Sequence, residues 1–181
     1  MVSKKKLEAM SDGCSVNRPR LEFYRPNAKG TGCAMAMALR PADSTHNGFV
    51  AVSLANQLTV GNSMGANPTF PTFDWENSVD VVLDFDALCA ILQVLRGETE
   101  SIDDNHGIFH KCKDYCQRIQ FRHLIDPVCG CSFEVFETPA NGGEEKHVHI
   151  LLSPAESLGL CEAIASSMYL ITFGKPQTAT V

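Results

Sequence analysis

The chain has 181 residues, 44% of them hydrophobic and 20% charged, with a formal net charge of −6. This composition suits a globular domain long enough to bury a core, and it excludes a disordered or fibrous chain. No run approaches the length of apolar sequence that spans a bilayer, so no membrane helix is expected.

The charge is unevenly spread. Residues 1–40 carry eight Lys/Arg against three Asp/Glu, whereas the remainder carries seven against eighteen. A basic arm on an acidic body can hold a phosphate backbone locally, although the body as a whole repels one. Residues 1–20 read as that flexible arm. Its lysines at 4–6 are followed by no apolar stretch, unlike a secretory signal. The eight cysteines (14, 33, 89, 112, 116, 129, 131 and 161) therefore read as reduced thiols packed as small hydrophobes.

After the arm come strand-like segments at 28–40, 48–56, 57–62 and 78–83. The first contains KGTGCAMAMALRP (29–41), a strand kept thin by Gly, Ala and Cys so that another backbone can come close. The Gly-, Pro- and Asn-rich stretch 61–78 reads as an excursion loop, with Trp75 anchoring it. The period then switches. Val79, Val81 and Leu83 alternate with polar neighbours, and from Asp84 onward Leu88, Ile91, Leu92 and Leu95 form a helical stripe ending near Gly97.

The second half repeats this grammar. Segments 106–111, 117–126, 132–139 and 145–152 read as strands, and a helix begins with Ser153 as N-cap, Pro154 in the first position and Glu156 in the third. The junctions at Leu83–Asp84 and Leu152–Ser153 are 69 residues apart, so the chain reads as four strands and a helix, twice over. Between Pro154 and Phe173 only Glu156 and Glu162 are charged. A helix apolar nearly all round must be covered on more than one face, by its own domain or by another subunit.

These landmarks, in this order, resemble the Whirly-type single-stranded nucleic-acid-binding fold of plant Whirly proteins and kinetoplastid mitochondrial guide-RNA-binding proteins. KGTGCAMAMALRP is similar to the family's first strand. FDWENSVDVVLDFDALCAIL is similar to its aromatic loop, fourth strand and first helix, HGIFHK to the short strand after that helix, and LLSPAESLGLCEAIASSMYLITFG to its closing strand and long helix. The resemblance implies an α+β fold of two antiparallel four-stranded sheets with two helices. Residues 21–174 would form one domain of two pseudo-repeats, with 175–181 as a tail. It also implies a tetramer, homomeric or paired with a more basic paralogue, that binds single-stranded RNA or DNA, promotes RNA annealing or editing, and resides in mitochondria.

The residues that would carry this are few. Arg118, Gln120 and Arg122 alternate onto one strand face, with Lys111 and Lys113 just before them and Lys29 beside Gly30 and Gly32. Arginines on one face can contact phosphate bidentately, and the same pattern also fits an ordinary solvated sheet. Phe23, Tyr24 and Phe109 suit stacking or core. His110, Cys112, Cys116, Cys129 and Cys131 space poorly for zinc, whose second cysteine pair needs a longer spacer, and His147 and His149 have no third ligand nearby in sequence. No nucleophile elbow, phosphate loop or dinucleotide fingerprint is present, so neither a cofactor nor catalysis is expected. The acidic body supports a different class of reading: a structural subunit of a ribonucleoprotein assembly that keeps the fold without touching nucleic acid.

Overall fold

A computed structural model describes residues 20–62, 67–125 and 129–175. The basic arm before residue 20, and all of the tail after Lys175, lie outside the described residues. The first sheet contains β1 (Leu21–Arg25), β2 (Cys33–Arg40), β3 (Phe49–Thr59), the two-residue β4 (Thr72–Phe73) and β5 (Val79–Leu83). All pairings are antiparallel. β3 lies between β2 and β5, and beyond β5 it pairs with β4. The second sheet is a meander of β6 (Ile108–Lys111), β7 (Tyr115–Leu124), β8 (Gly130–Pro139) and β9 (Lys146–Leu152). Each sheet hands over to a helix, α1 (Phe85–Leu95) or α2 (Pro154–Phe173). The architecture is α+β and Whirly-like, as the order of landmarks implies, with β4 as an addition to the first sheet.

One detail of the first sheet departs from the sequence reading. The segments expected at 48–56 and 57–62 are a single strand, β3, and the remaining full strand is β1. Nothing at Asn56–Gln57 forces a turn, because Gln57 stays buried in the ladder instead of leaving it. β1 is five residues long and stops before Pro26, too short for its alternation to stand out.

The helix starts follow local chemistry. Asp84 Oδ1 accepts from the Ala87 amide at 3.0 Å. Ser153 Oγ accepts from the Glu156 amide at 3.3 Å, while Glu156 Oε2 accepts from the Ser153 amide at 2.8 Å, which completes the expected capping box. α2 ends at Gly174, whose φ of 73° lies in the left-handed region. Arg25 at the end of β1 pairs with Glu156, fastening the edge of the first sheet to the start of α2.

The core is built from the inward positions of both sheets. Phe23, Met35, Leu54 and Val79 form one cross-strand row, and Ile119, Val135 and Val148 form another. Phe121 and Phe133 meet with ring centroids 5.9 Å apart. Leu88 and Ile91 of α1, and Leu160, Ile164 and Ile171 of α2, close the interior. α2 buries only that side. Leu158, Tyr169 and Phe173 are exposed along the other, and the Tyr169 and Phe173 rings are 5.4 Å apart.

The thin strand β2 is covered by its own sheet. Tyr24, Ala34 and Ala55 share one row on the face away from the core, and the Tyr24 ring meets Phe73 at 5.5 Å. This register sets both rings over two alanines that are fully buried. In the next row, the Gln57 carboxamide accepts from the amides of Asn27 (2.8 Å) and Gly32 (3.1 Å) and donates to the carbonyls of Asn27 and Thr59 (3.1 and 3.0 Å). A Cβ at Gly32 would collide with the Gln57 side chain and the Arg25 carbonyl. Gly32 is thus required by a side-chain clamp on the β1–β2 turn.

Candidate nucleic-acid interface

The outward face of the second sheet gathers most of the expected residues. Phe109 and Lys111 of β6 project there, as do Cys116, Arg118, Gln120 and Arg122 of β7. So do Ser132, Glu134, Phe136 and Thr138 of β8, and His147 and His149 of β9. The antiparallel register aligns Phe109, Arg118, Phe136 and His147 in one row across all four strands, about 14 Å wide at the usual strand spacing. The Arg118 guanidinium lies 4.2 Å from the centroid of Phe136. Phe136 stacks on His147 at 4.3 Å, within 3° of parallel, and His149 continues the stack at 5.5 Å. The contacts beyond Phe109 form a ladder of flat π-surfaces, and Phe109 at its near end is well exposed.

Arg122 sits two positions along β7, and its Nη2 donates to Glu134 Oε1 at 2.8 Å. The same oxygen accepts from Ser132 Oγ at 2.8 Å, and His147 Nε2 stands 3.3 Å from Oε2. Burial pushes the Glu134 carboxyl up. The hydroxyl of Ser132, the charge of Arg122 and the contact with His147 together outweigh it and hold the group below the ordinary Glu range. Both arginines therefore have intramolecular partners, one an aromatic ring and the other a carboxylate.

Lys111 is exposed on this face, and Lys113 is exposed in the turn after β6. Lys29 does not join them. It sits in the β1–β2 turn of the other sheet, where Asn27 Oδ1 accepts from the amides of Lys29 and Thr31 at 3.0 and 3.1 Å and Gly30 takes a left-handed φ of 71°. The fold thus brings Lys111, Lys113, Arg118 and Arg122 to one sheet and holds Lys29 on a braced turn of the other. Of the expected stacking residues, Phe109 is on the interface, Phe23 is core, and Tyr24 lies over Ala34. Trp75 opens a short 3₁₀ turn capped by Asp74, consistent with a loop anchor.

The soft side chains separate. His110 is on the inward side of β6, where burial lowers its pKa against the opposing pull of Asp84. Cys131 is buried and Cys129 exposed. Among the described residues no three His, Cys, Asp or Glu groups converge on one point.

Sequence reading missed Glu134 and Phe136. The signal for them lay in the hairpin arithmetic: a turn centred between Asn141 and Gly142 pairs Phe136 with His147 and Glu134 with His149. A turn between β6 and β7 likewise pairs Phe109 with Arg118.

No family model matches the sequence, and no curated protein sequence does. Solved structures do match. The fold is similar to WHY1 from Arabidopsis thaliana, with a TM-score of 0.68, 15% identity, and coverage of 89% of each chain. It is similar to the Trypanosoma brucei MRP1/MRP2 structure, with a TM-score of 0.57, 14% identity, and coverage of 92% of this chain and 94% of that one. It also matches a guide-RNA-binding protein complex bound to a gRNA, with a TM-score of 0.56, 17% identity, and coverage of 87% and 95%.

Proposed function

We propose that this chain is a non-catalytic binder of single-stranded nucleic acid, RNA ahead of DNA, and that the strand lies across the outward face of the second sheet. The observation that carries the reading is the aligned row of Phe109, Arg118, Phe136 and His147 with Lys111 and Arg122 beside it. Phe109, whose ring is well exposed, offers stacking to an unpaired base, the mutually stacked rings beyond it turn their edges outward, and cations flanking the row take the phosphates. The likeness to a protein solved with guide RNA bound supports the same choice of ligand. Lys113 and, from the other sheet, Lys29 extend the phosphate contacts.

The chain acts as an oligomer in this reading. α2 exposes the stripe of Leu158, Tyr169 and Phe173, and on its opposite flank lies an apolar groove of about 290 Å³ lined by Leu21, Met37, Leu39, Val50, Leu160 and Ile164. Such a surface is suited to burial against other subunits, either copies or a more basic paralogue that offsets the acidic body. Promotion of RNA annealing in mitochondria is the finer form of the proposal.

Filter binding of poly(U) and of a guide-like RNA at about 50 and 200 mM salt tests it. Four or five phosphate contacts predict a loss of about fifty- to hundredfold in affinity over that range. Absence of binding at the lower salt would leave the second reading, the structural subunit. That alternative draws on Arg122 and Glu134 already neutralising one another.

A further inference from the structure

Among the outward strand positions of the second sheet Glu134 is the only carboxylate, and it is nearly buried: its side chain is 11% exposed, whereas that of Arg122 is 49% exposed. Each of its oxygens is occupied. Oε1 accepts from Arg122 Nη2 and Ser132 Oγ, both at 2.8 Å, and Oε2 faces His147 Nε2 at 3.3 Å. Arg122 is thus held by a neighbour at the place where a phosphate would need it.

A phosphate that draws Arg122 outward strips Glu134 of its main cation. A nearly buried carboxylate left without its cation and one of its donors is costly, so a bare polyanion gains little by capturing Arg122. A ligand that brings its own N–H donor to Glu134 escapes that penalty. Bases lying across the outer edges of Phe136 and His147 come beside this carboxylate, because His147 belongs to both the ladder and the Glu134 cluster. Cytosine, adenine and guanine carry an exocyclic amino group, a donor that a glutamate accepts well. Uracil and thymine have carbonyl oxygens flanking a single imino N–H, and those oxygens repel a carboxylate.

We propose, resting on the nucleic-acid reading above, that Glu134 makes this face selective for bases bearing an exocyclic amino group and against uracil, thymine and bare polyanions. The exchange is one of partners. Arg122 moves from carboxylate to phosphate, and the base amino group takes its place at Glu134. No covalent step is involved.

The test is binding of short oligo(C), oligo(U) and inorganic polyphosphate to the full chain, its Glu134→Gln variant and its Arg122→Gln variant, each checked for native circular dichroism. Oligo(C) and oligo(U) have rings of the same size, so stacking differs little and the edge decides. The intact chain is expected to favour oligo(C) by on the order of tenfold. Glu134→Gln is expected to bring the two within about twofold and to tighten polyphosphate binding several-fold, since Arg122 is then free. Arg122→Gln is expected to weaken both oligonucleotides while keeping the preference. Equal binding of oligo(C) and oligo(U) by the intact chain, or a preference that survives Glu134→Gln, overturns the inference while leaving nucleic-acid binding intact. Failure to bind any oligonucleotide overturns both.

Discussion

The two sheets use their outward faces in opposite ways. On the first, Tyr24, Phe73 and the Gln57 carboxamide fold down over Gly32, Ala34 and Ala55, so small residues are sealed by the chain's own side chains. On the second, Phe109 stands free and Arg118, Phe136, His147 and His149 stack on edge across the strands. The lesson is that aromatic residues on a sheet do not by themselves make a platform. Where the strand beneath is thin the rings close onto it as packing. Where the rings stack on one another across the strands, their edges and the free Phe109 ring stay exposed.

Breaking the sealed face is expected to cost stability. Gly32→Ala forces a Cβ into the Gln57 side chain and the Arg25 carbonyl, and a loss of about 3–5 kcal/mol in denaturant unfolding is expected. Gln57→Ala leaves the amides of Asn27 and Gly32 without their acceptor and should cost about 2–3 kcal/mol by the same measurement. An unchanged unfolding midpoint in either would mean that the β1–β2 turn is not held by this clamp.

Breaking the open face is expected to do the reverse. Arg118→Ala removes a half-buried cation–π contact on the sheet surface, so stability should fall by about 1 kcal/mol. RNA affinity should fall about tenfold, with a shallower salt dependence. A large loss of stability with no loss of binding would make this row packing, like that of the first sheet.

Acid titration sharpens the contrast from a different side. Glu134 is depressed on folding, so it contributes stability that is present above its unfolded value of about 4.3 and is lost as pH falls through the lower folded value. Glu134→Gln should therefore lose less stability than the intact chain between about pH 6 and pH 3. The smallest effect expected is a gain. Asp103, Asp104 and Asn105 all hold left-handed φ values of 47°, 49° and 72° before β6, and Asn105→Gly should stabilise the chain by about 0.5–1 kcal/mol.

Much of this molecule was legible along the chain, because the features concerned are local. Asp84 and Ser153 start their helices as their chemistry dictates, and the alternation on β7 places Arg118 and Arg122 on one face. What stayed hidden depends on register. β1 and the length of β3 turn on whether Gln57 leaves the sheet, which is settled by hydrogen bonds to residues 25 and 30 positions earlier. Glu134 carried no signal of its own. Its role arises from Arg122, twelve positions before it, and His147, thirteen after. The number and order of elements follow from periodicity, whereas the composition of a sheet face follows from how its hairpins are cut.

The most direct test is to map where a bound strand touches the protein. Photocrosslinking of a short single-stranded RNA to the full chain, with the adducts located by mass spectrometry, should place them on Phe109, Phe136 and His147 of the second sheet. Adducts confined to Tyr24 and Phe73 of the first sheet, or no specific adducts under conditions where the RNA is bound, would contradict the account.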